Sequence, residues 1–433
     1  MKAYSQKKKK ILPIGLTKKN TIPGAYMTKK SVALAVILLS LSSAAHALEF
    51  QSLGSGSLGV GGAGVARTYG SMAAYWNPAG LAFAPKTATV SITAGVGLQP
   101  EGKLAQDLDD LSTAHQSLNS NQTLPNATTL FNAINALYET SSKDNLRASA
   151  GAAIGAQVNN FGFGVFGTFE GGAIPNPGGA PLPLPSASNL ATYNTIANNA
   201  LSTKTITTRG IALVEVPLAY GHAFDLGSAG KLGVGATGKY LYGEVASVEN
   251  QQVFNSSSNS TISSSDLTKD LSNNRKGSAG FGIDLGLLWK PCTSTAVGFV
   301  GKNLNAPSFD TKTGDKIVVD RQIRAGVSVD ALSWLELTGD VDVLSNSTIV
   351  PGLKSQHLGG GAEFHPVSCL KLRVGGYTDL AISTNGAVTG GLSLGIPWLF
   401  FDIDGAYGLG TVKYKNSSYP TEAKVQFSTN IAF

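Results

Sequence analysis

Four histidines, two cysteines and one glycine-rich run are the residues beyond position 47 whose types invite chemistry. Their spacing argues against it. His115, His222, His357 and His365 show no metal-ligand spacing. His357 and His365 stand eight apart on one alternating stretch, which sets them roughly 26 Å apart at about 3.3 Å per residue. Gly54-Ser55-Gly56-Ser57-Leu58-Gly59 matches GxGxxG, but a dinucleotide site needs a strand before it and a helix after it. Neither pattern flanks it, so these glycines read as permissive backbone in a close-packed segment. A hydrolase built into a barrel wall would need Ser and His side by side on the outer face, and no catalytic constellation of that kind stands out. The reading is a non-enzyme with no cofactor and no metal.

The elements that must carry these residues are strands. Val425, Phe427, Thr429, Ile431 and Phe433 alternate with Gln426, Ser428, Asn430 and Ala432, so a two-residue period puts mostly apolar side chains on one face. A final strand needs a partner, and pairing with the first strand supplies one by closing a barrel. Ala88, Val90, Ile92, Ala94 and Val96, opposed by Thr89, Ser91 and Thr93, open the series. Further alternating segments lie near 147–158, 161–169, 211–224, 231–245, 278–290, 295–304, 321–330, 334–344, 357–365, 368–378, 387–396, 398–408 and 421–433. The count is about 14, within the even-numbered range of bacterial barrels.

Connections alternate long and short along the chain. Asn159-Asn160, 225–230, Pro291-Cys292, 331–333, Pro366-Val367 and Pro397 are short; the others are longer and rich in Ser, Asn, Gly and Pro. Short periplasmic turns and long external loops are what transmembrane barrels show. Phe224, Trp289, Trp334, Phe364 and Phe433 fall beside short turns, and Phe169, Tyr242, Tyr377 and Tyr407 near the opposite rim, as two interfacial girdles. Asp284, Arg324, Asp340, Asp342, Lys371 and Arg373 alternate with apolar neighbours and should point inward, because Lys or Arg facing lipid costs roughly 2–4 kcal/mol at the midplane. Cys292 and Cys369 fall at turns four strands apart. At about 4.8 Å per strand that exceeds the reach of a disulfide, so none is expected.

Composition and charge agree. Gly makes up 52 of 433 residues and charged residues 14%, and there is no apolar run of the roughly 18 residues that a spanning helix needs. Met27 to Ala47 reads as a secretory signal, with Lys29 and Lys30, an apolar core from Ser31 to Leu41, and Ala45-His46-Ala47 before the cut. The mature chain should begin at Leu48. No Cys follows the cut, so a lipid anchor is not indicated. Residues 1–26 are either an extension of this signal or the product of a start at Met1 where Met27 is the true one. Residues 1–47 hold nine Lys and no acids, which leaves 24 basic residues against 27 acidic ones, a net charge of −3. Basicity therefore gives no ground for nucleic-acid binding.

Between the signal and the first strand, Leu48 to Pro85 is not strand-like. A barrel of about 14 strands cannot be filled by its own side chains, and this segment is the candidate filling. Leu104, Leu108, Leu111, His115 and Leu118, then Leu130, Ile134, Leu137 and Tyr138, recur at helical spacing, which places two amphipathic helices in the first external loop. Domains follow: signal peptide 1–47, plug 48–85, barrel 86–433.

Gly61-Gly62-Ala63-Gly64-Val65-Ala66 and Tyr75-Trp76-Asn77-Pro78-Ala79-Gly80-Leu81 resemble the N-terminal plug of the FadL/OmpP1-type outer-membrane barrels, whose hatch carries an Asn-Pro-Ala motif. The helical first loop, the Arg209 to Pro217 strand and Gly233 to Tyr240 resemble the TraF-like plasmid-transfer branch of that superfamily. The thioredoxin-like protein of the same name has a CxxC that this chain lacks. A C-terminal Phe433 resembles the signal read by the barrel-assembly machinery. The resemblance implies an all-β plugged barrel in the outer membrane of a Gram-negative bacterium, lipid around it, passing small hydrophobic compounds such as long-chain fatty acids. Its plug motif would be Asn77, Pro78, Ala79 and Gly80. Pro217, and Gly171 and Gly172 at the head of a Gly/Pro stretch, are candidates for a side opening and read equally well as edge bulges. The alternative is a component of a conjugative transfer or secretion apparatus that docks transfer proteins on its loops. A general porin fits less well, since an open channel needs no plug.

Overall fold

The computed structural model describes residues 48–433 except 138, 140–142, 177–180, 183–195, 198, 202, 256–259, 262–263, 383–385 and 416. The signal, Tyr138 and most of the Gly/Pro stretch beyond Asn176 lie outside the described residues.

Fourteen antiparallel strands form one closed barrel. They are β1 (Ala88–Glu101), β2 (Asn145–Val158), β3 (Phe161–Asn176), β4 (Thr205–Asp225), β5 (Lys231–Gln252), β6 (Arg275–Cys292) and β7 (Thr295–Lys302), followed by β8 (Gln322–Leu332), β9 (Leu335–Asp342), β10 (His357–Val367), β11 (Leu370–Asp379), β12 (Gly386–Ile396), β13 (Leu399–Gly408) and β14 (Ala423–Ala432). Each of the fourteen alternating segments became a barrel strand. Closure runs through β14, which pairs with β13 and with β1, Val96 opposite Val425 and Val90 opposite Ile431. Thr89, Ser91 and Thr93 turn inward while Ile92, Ala94 and Val96 turn outward. Outward side chains such as Phe281, Ile283, Leu285, Leu287 and Trp289 on β6 stay exposed, which no aqueous fold would leave unpartnered in such a row.

Strands β3, β4 and β5 run several residues beyond their alternating stretches, toward the long loops. There consecutive residues are buried, as at Gly172–Pro175, Ile206–Thr208 and Val245–Ser247, so the two-residue period fades although the ladder continues. At the other end the turns are tight: Asn159 takes φ 50°, a left-handed value that Asn tolerates in a two-residue hairpin.

In the first long loop, α1 (Leu104–Ser120) and α2 (Leu124–Ala136) are the two expected helices. Thr123 caps α2 by accepting from Asn126 N at 3.4 Å, with Pro125 in the first turn. Their apolar faces meet through Leu111, Leu118, Leu130, Phe131 and Ile134, over Ile206 and Val253.

The girdles need one correction. Tyr377 faces the bore: its hydroxyl donates to Glu422 and its ring packs against His357, 5.2 Å between centroids. On β11 the outward residues are Leu372 and Val374, so an odd-numbered position points inward.

Candidate functional site

Residues 48–85 occupy the bore. The segment folds as short helical turns at Leu58–Val60, Gly70–Met72, Ala73–Trp76 and Pro78–Phe83. It starts among the long loops and ends at the short turns, where it feeds β1.

The Asn77 to Gly80 motif is seated by the barrel wall. Asn77 caps the last helical turn by accepting from Ala79 N at 3.1 Å, and Pro78 holds the first helical position. Its Nδ2 donates to Val65 O at 3.0 Å and to Leu287 O on β6 at 3.1 Å. Gly221, Gly235 and Gly286 are cross-strand neighbours on β4, β5 and β6 and form a bare row beneath the motif. A Cβ on Gly235 would lie 2.2 Å from Pro78 C, and one on Gly286 2.0 Å from Asn77 Oδ1. Sequence reasoning missed this row. Its signal was available as inward-phase glycines on three successive strands.

Charged residues of the wall fasten the rest. Arg67 donates to Glu336 through Nε and Nη2, both at 3.1 Å, to Glu363 at 2.8 Å, and to Ser55 O at 3.1 Å. Glu363 also holds Arg373 at 2.6 Å, which reaches Asp404 at 3.1 Å and Asp402 at 3.3 Å. Asp340 accepts from Gly64 N at 2.8 Å and Val65 N at 3.0 Å. Thr389 accepts from Gly61 N and donates to Gly59 O, and Ser71 meets Ser91 at 2.6 Å. Inward carboxylates on β9 and β10 thus serve as anchors, and Arg373 on β11 braces one of them.

Aromatic packing completes the seal. Phe50, Tyr75, Trp76 and Phe166 cluster in the bore, with Tyr75 OH donating to Gln51 O and Trp76 Nε1 to Leu53 O. The buried Lys302 ammonium lies 4.4 Å from the Phe50 ring centroid and 3.5 Å from that of Tyr75, a placement absent from the sequence reading.

At the long-loop end, Leu48 is buried among Ile211, Leu241, Val245, Phe309, Ile349 and Val350. Beside it a cavity of about 110 Å³ is lined by Glu49, Arg147, Glu170, Arg324, Tyr377 and Lys424. Ligand sites usually measure about 300–1,000 Å³ and are mostly apolar, so this cavity is too small and too charged for a drug-sized solute. A larger one of about 360 Å³, also rich in charge, lies toward the short turns among Arg67, Tyr69, Lys290, Glu336 and Arg373.

The remaining sequence candidates disperse. Pro217 lies in β4 where the pairing with β3 lapses: Phe163 faces Leu218 and Phe166 faces Glu215, with no pair between. Gly171 and Gly172 pair in register with Gly210 and Arg209. His357 Nε2 meets Gly61 O at 3.0 Å, His365 meets Glu363, and His222 packs edge-to-face against Phe224. Among the described residues no group of three or more His, Cys, Asp or Glu could hold a metal. Cys292 and Cys369 are exposed free thiols, and Phe433 ends the chain exposed, its N–H donating to Ala88 O at 2.9 Å.

The family model described as "F plasmid transfer operon, TraF, protein" matches residues 74–342. The chain belongs to that TraF family. Among solved structures, this TraF-family chain is similar to the Pseudomonas putida toluene transporter TodX, with 13% identity, 87% of this chain and 97% of that one covered, and a TM-score of 0.48. A Pseudomonas aeruginosa FadL homologue shares 13% identity over 89% of this chain and 99% of its own, with a TM-score of 0.44. The CymD monoaromatic hydrocarbon channel shares 12% identity over 89% and 99%, with a TM-score of 0.48. No curated protein matches the chain.

Proposed function

We propose that the chain is a plugged barrel of a Gram-negative outer membrane that passes small hydrophobic compounds, residues 48–85 acting as the plug. The observation that carries this reading is Leu48. The apolar cluster under the long loops is completed by a side chain at the start of the plug, so an apolar solute that takes its place gains the same burial, about 25 cal/mol per Å². On this reading the loops face outward, the Asn77 to Gly80 motif is the hinge seat near the periplasmic mouth, and the ladder lapse at Pro217 is a side opening. Long-chain fatty acids fit the chemistry of the cluster as well as any apolar solute does. Phe433 is the contact for the barrel-assembly machinery.

A disulfide across the Ser71 and Ser91 oxygens, 2.6 Å apart, tests the plug. In the Ser71→Cys/Ser91→Cys chain, with Cys292 and Cys369 replaced by Ser, uptake of a fatty acid or hydrophobic dye into cells is expected to fall on oxidation and return on reduction. Uptake that ignores the oxidation state removes the gating role.

The match over residues 74–342 favours a second reading, an outer-membrane component of a conjugative transfer apparatus that docks transfer proteins. Deleting the gene then lowers plasmid transfer while hydrophobic uptake is unchanged.

A further inference from the structure

The start of the plug meets an excess of negative charge. Glu49 N donates to both carboxylate oxygens of Glu170, at 3.2 and 3.5 Å, and Gln51 Nε2 donates to Oε1 at 3.2 Å. Glu170 is buried on β3, and among the described residues no cationic side chain lies within ion-pair distance of it. Arg147, the nearby guanidinium, binds Glu49 and Glu101. Arg324 and Lys424, the other cations lining the cavity, bind Asp342 and Glu422. Glu170 therefore lies beside Glu49 with no ion-pair partner of its own among the described residues. A buried carboxylate in that position costs free energy unless another positive charge reaches it.

The chain can make such a charge. Hydrolysis of the Ala47–Leu48 bond consumes one water and leaves a carboxylate on Ala47 and, at neutral pH, an ammonium on Leu48. Successive residues are about 3.8 Å apart, so this ammonium forms within about 4 Å of Glu49 N, itself bonded to Glu170. We propose that Glu170 is the binding site for the α-ammonium of the processed chain, so that removal of the leader fastens the outer end of the plug. The inference rests on the reading that the signal is cut after Ala47. The Leu48 side chain faces the apolar cluster and its carbonyl accepts from Gln322, which fixes the residue on its other side.

The test uses the processed protein extracted from membranes in mild detergent, its terminus established by intact mass. A pulse of an amine-acylating reagent at neutral pH is followed by quantifying label on the N-terminal peptide. The folded wild type is expected to label about tenfold more slowly than the same protein denatured in dodecyl sulfate, the loss of free amine that one unit of raised pKa produces. Glu170→Gln is expected to recover most of that rate. Equal labelling of folded and denatured wild type, or no change in Glu170→Gln, overturns the proposal. Should Glu170→Gln fail to assemble, a chain with one Gly inserted after Ala47 displaces the ammonium while keeping Glu170, and protection retained there also overturns it. A mass showing a terminus other than Leu48 overturns it through its premise, and separates that failure from failure of the ion pair.

Discussion

The Asn77 carboxamide oxygen stands 2.0 Å from the point where a Cβ on Gly286 would be built, and the amide of the same side chain reaches Leu287 O. The plug motif and the bare strand position are two halves of one fit. Gly286→Ala forces the side chain off its seat, and overpacking of this kind costs about 1–3 kcal/mol. The expected outcome is a lower urea midpoint and tryptic cleavage at Arg67 in a barrel that is otherwise folded. Gly238→Ala, on β5 with nothing within 4 Å, is the control and should change neither.

Arg67 ties the plug to two strands through carboxylates on β9 and β10. Removing one partner of a buried pair leaves the others uncompensated, and Arg67→Ala should destabilise the closed plug by about 3–5 kcal/mol. Arg67→Lys keeps the charge but loses the fork that spans Glu336 and Glu363, so it should fail nearly as badly. Current through single molecules in planar bilayers reports the difference, with brief openings in both variants and none in the wild type. Because Arg67 and Glu363 are the two halves of one ion pair, combining Arg67→Ala with Glu363→Gln should cost less than the two changes added.

The strands were legible because alternation reports a face, and each inward Thr, Asp or Arg betrays the bore by its phase. What alternation cannot report is the partner across the bore. Nothing local to Asp340 says that it takes the Gly64 and Val65 amides, and nothing local to Asn77 points to Gly286, since those contacts are fixed by barrel closure. Tyr377 misled for a related reason: an aromatic near a rim satisfies a girdle pattern from either face, and its inward phase decides the matter. Leu48 read as the bland first residue after a cut, and its place in the outer cluster depends on loops far along the chain.

Asp107, buried in the first turn of α1, has its carboxyl pushed up to about 6 by burial, with Asp144 adding to the effect. The folded loop therefore binds the proton more tightly than the unfolded one, whose value is near 3.8. Stability of the α1–α2 pair should rise as pH falls from 7 through about 6, and level off near the ordinary carboxylate value. Asp107→Asn should stabilise the pair at pH 7 and flatten the dependence. Amide exchange of α1, corrected for intrinsic rates, measures both, and a wild-type profile already flat between pH 4 and 7 contradicts the assignment.

Pro217 supplies no N–H where β3 and β4 should bond, and the lapse spans Gly164 and Val165 on one strand and Val216 and Pro217 on the other. Since Phe163–Leu218 and Phe166–Glu215 keep a common register on either side, the strands are aligned and lack only the bonds between them. Pro217→Ala restores a donor without adding bulk to an inward position, so the ladder should close, the new amide at position 217 should be protected, and protection at Gly164 opposite it should rise. If solutes leave sideways here, the same variant slows uptake several-fold, at plug fastening equal to wild type by tryptic cleavage at Arg67. Restored protection with unaltered uptake would move the exit elsewhere and leave Pro217 as a bend in the wall.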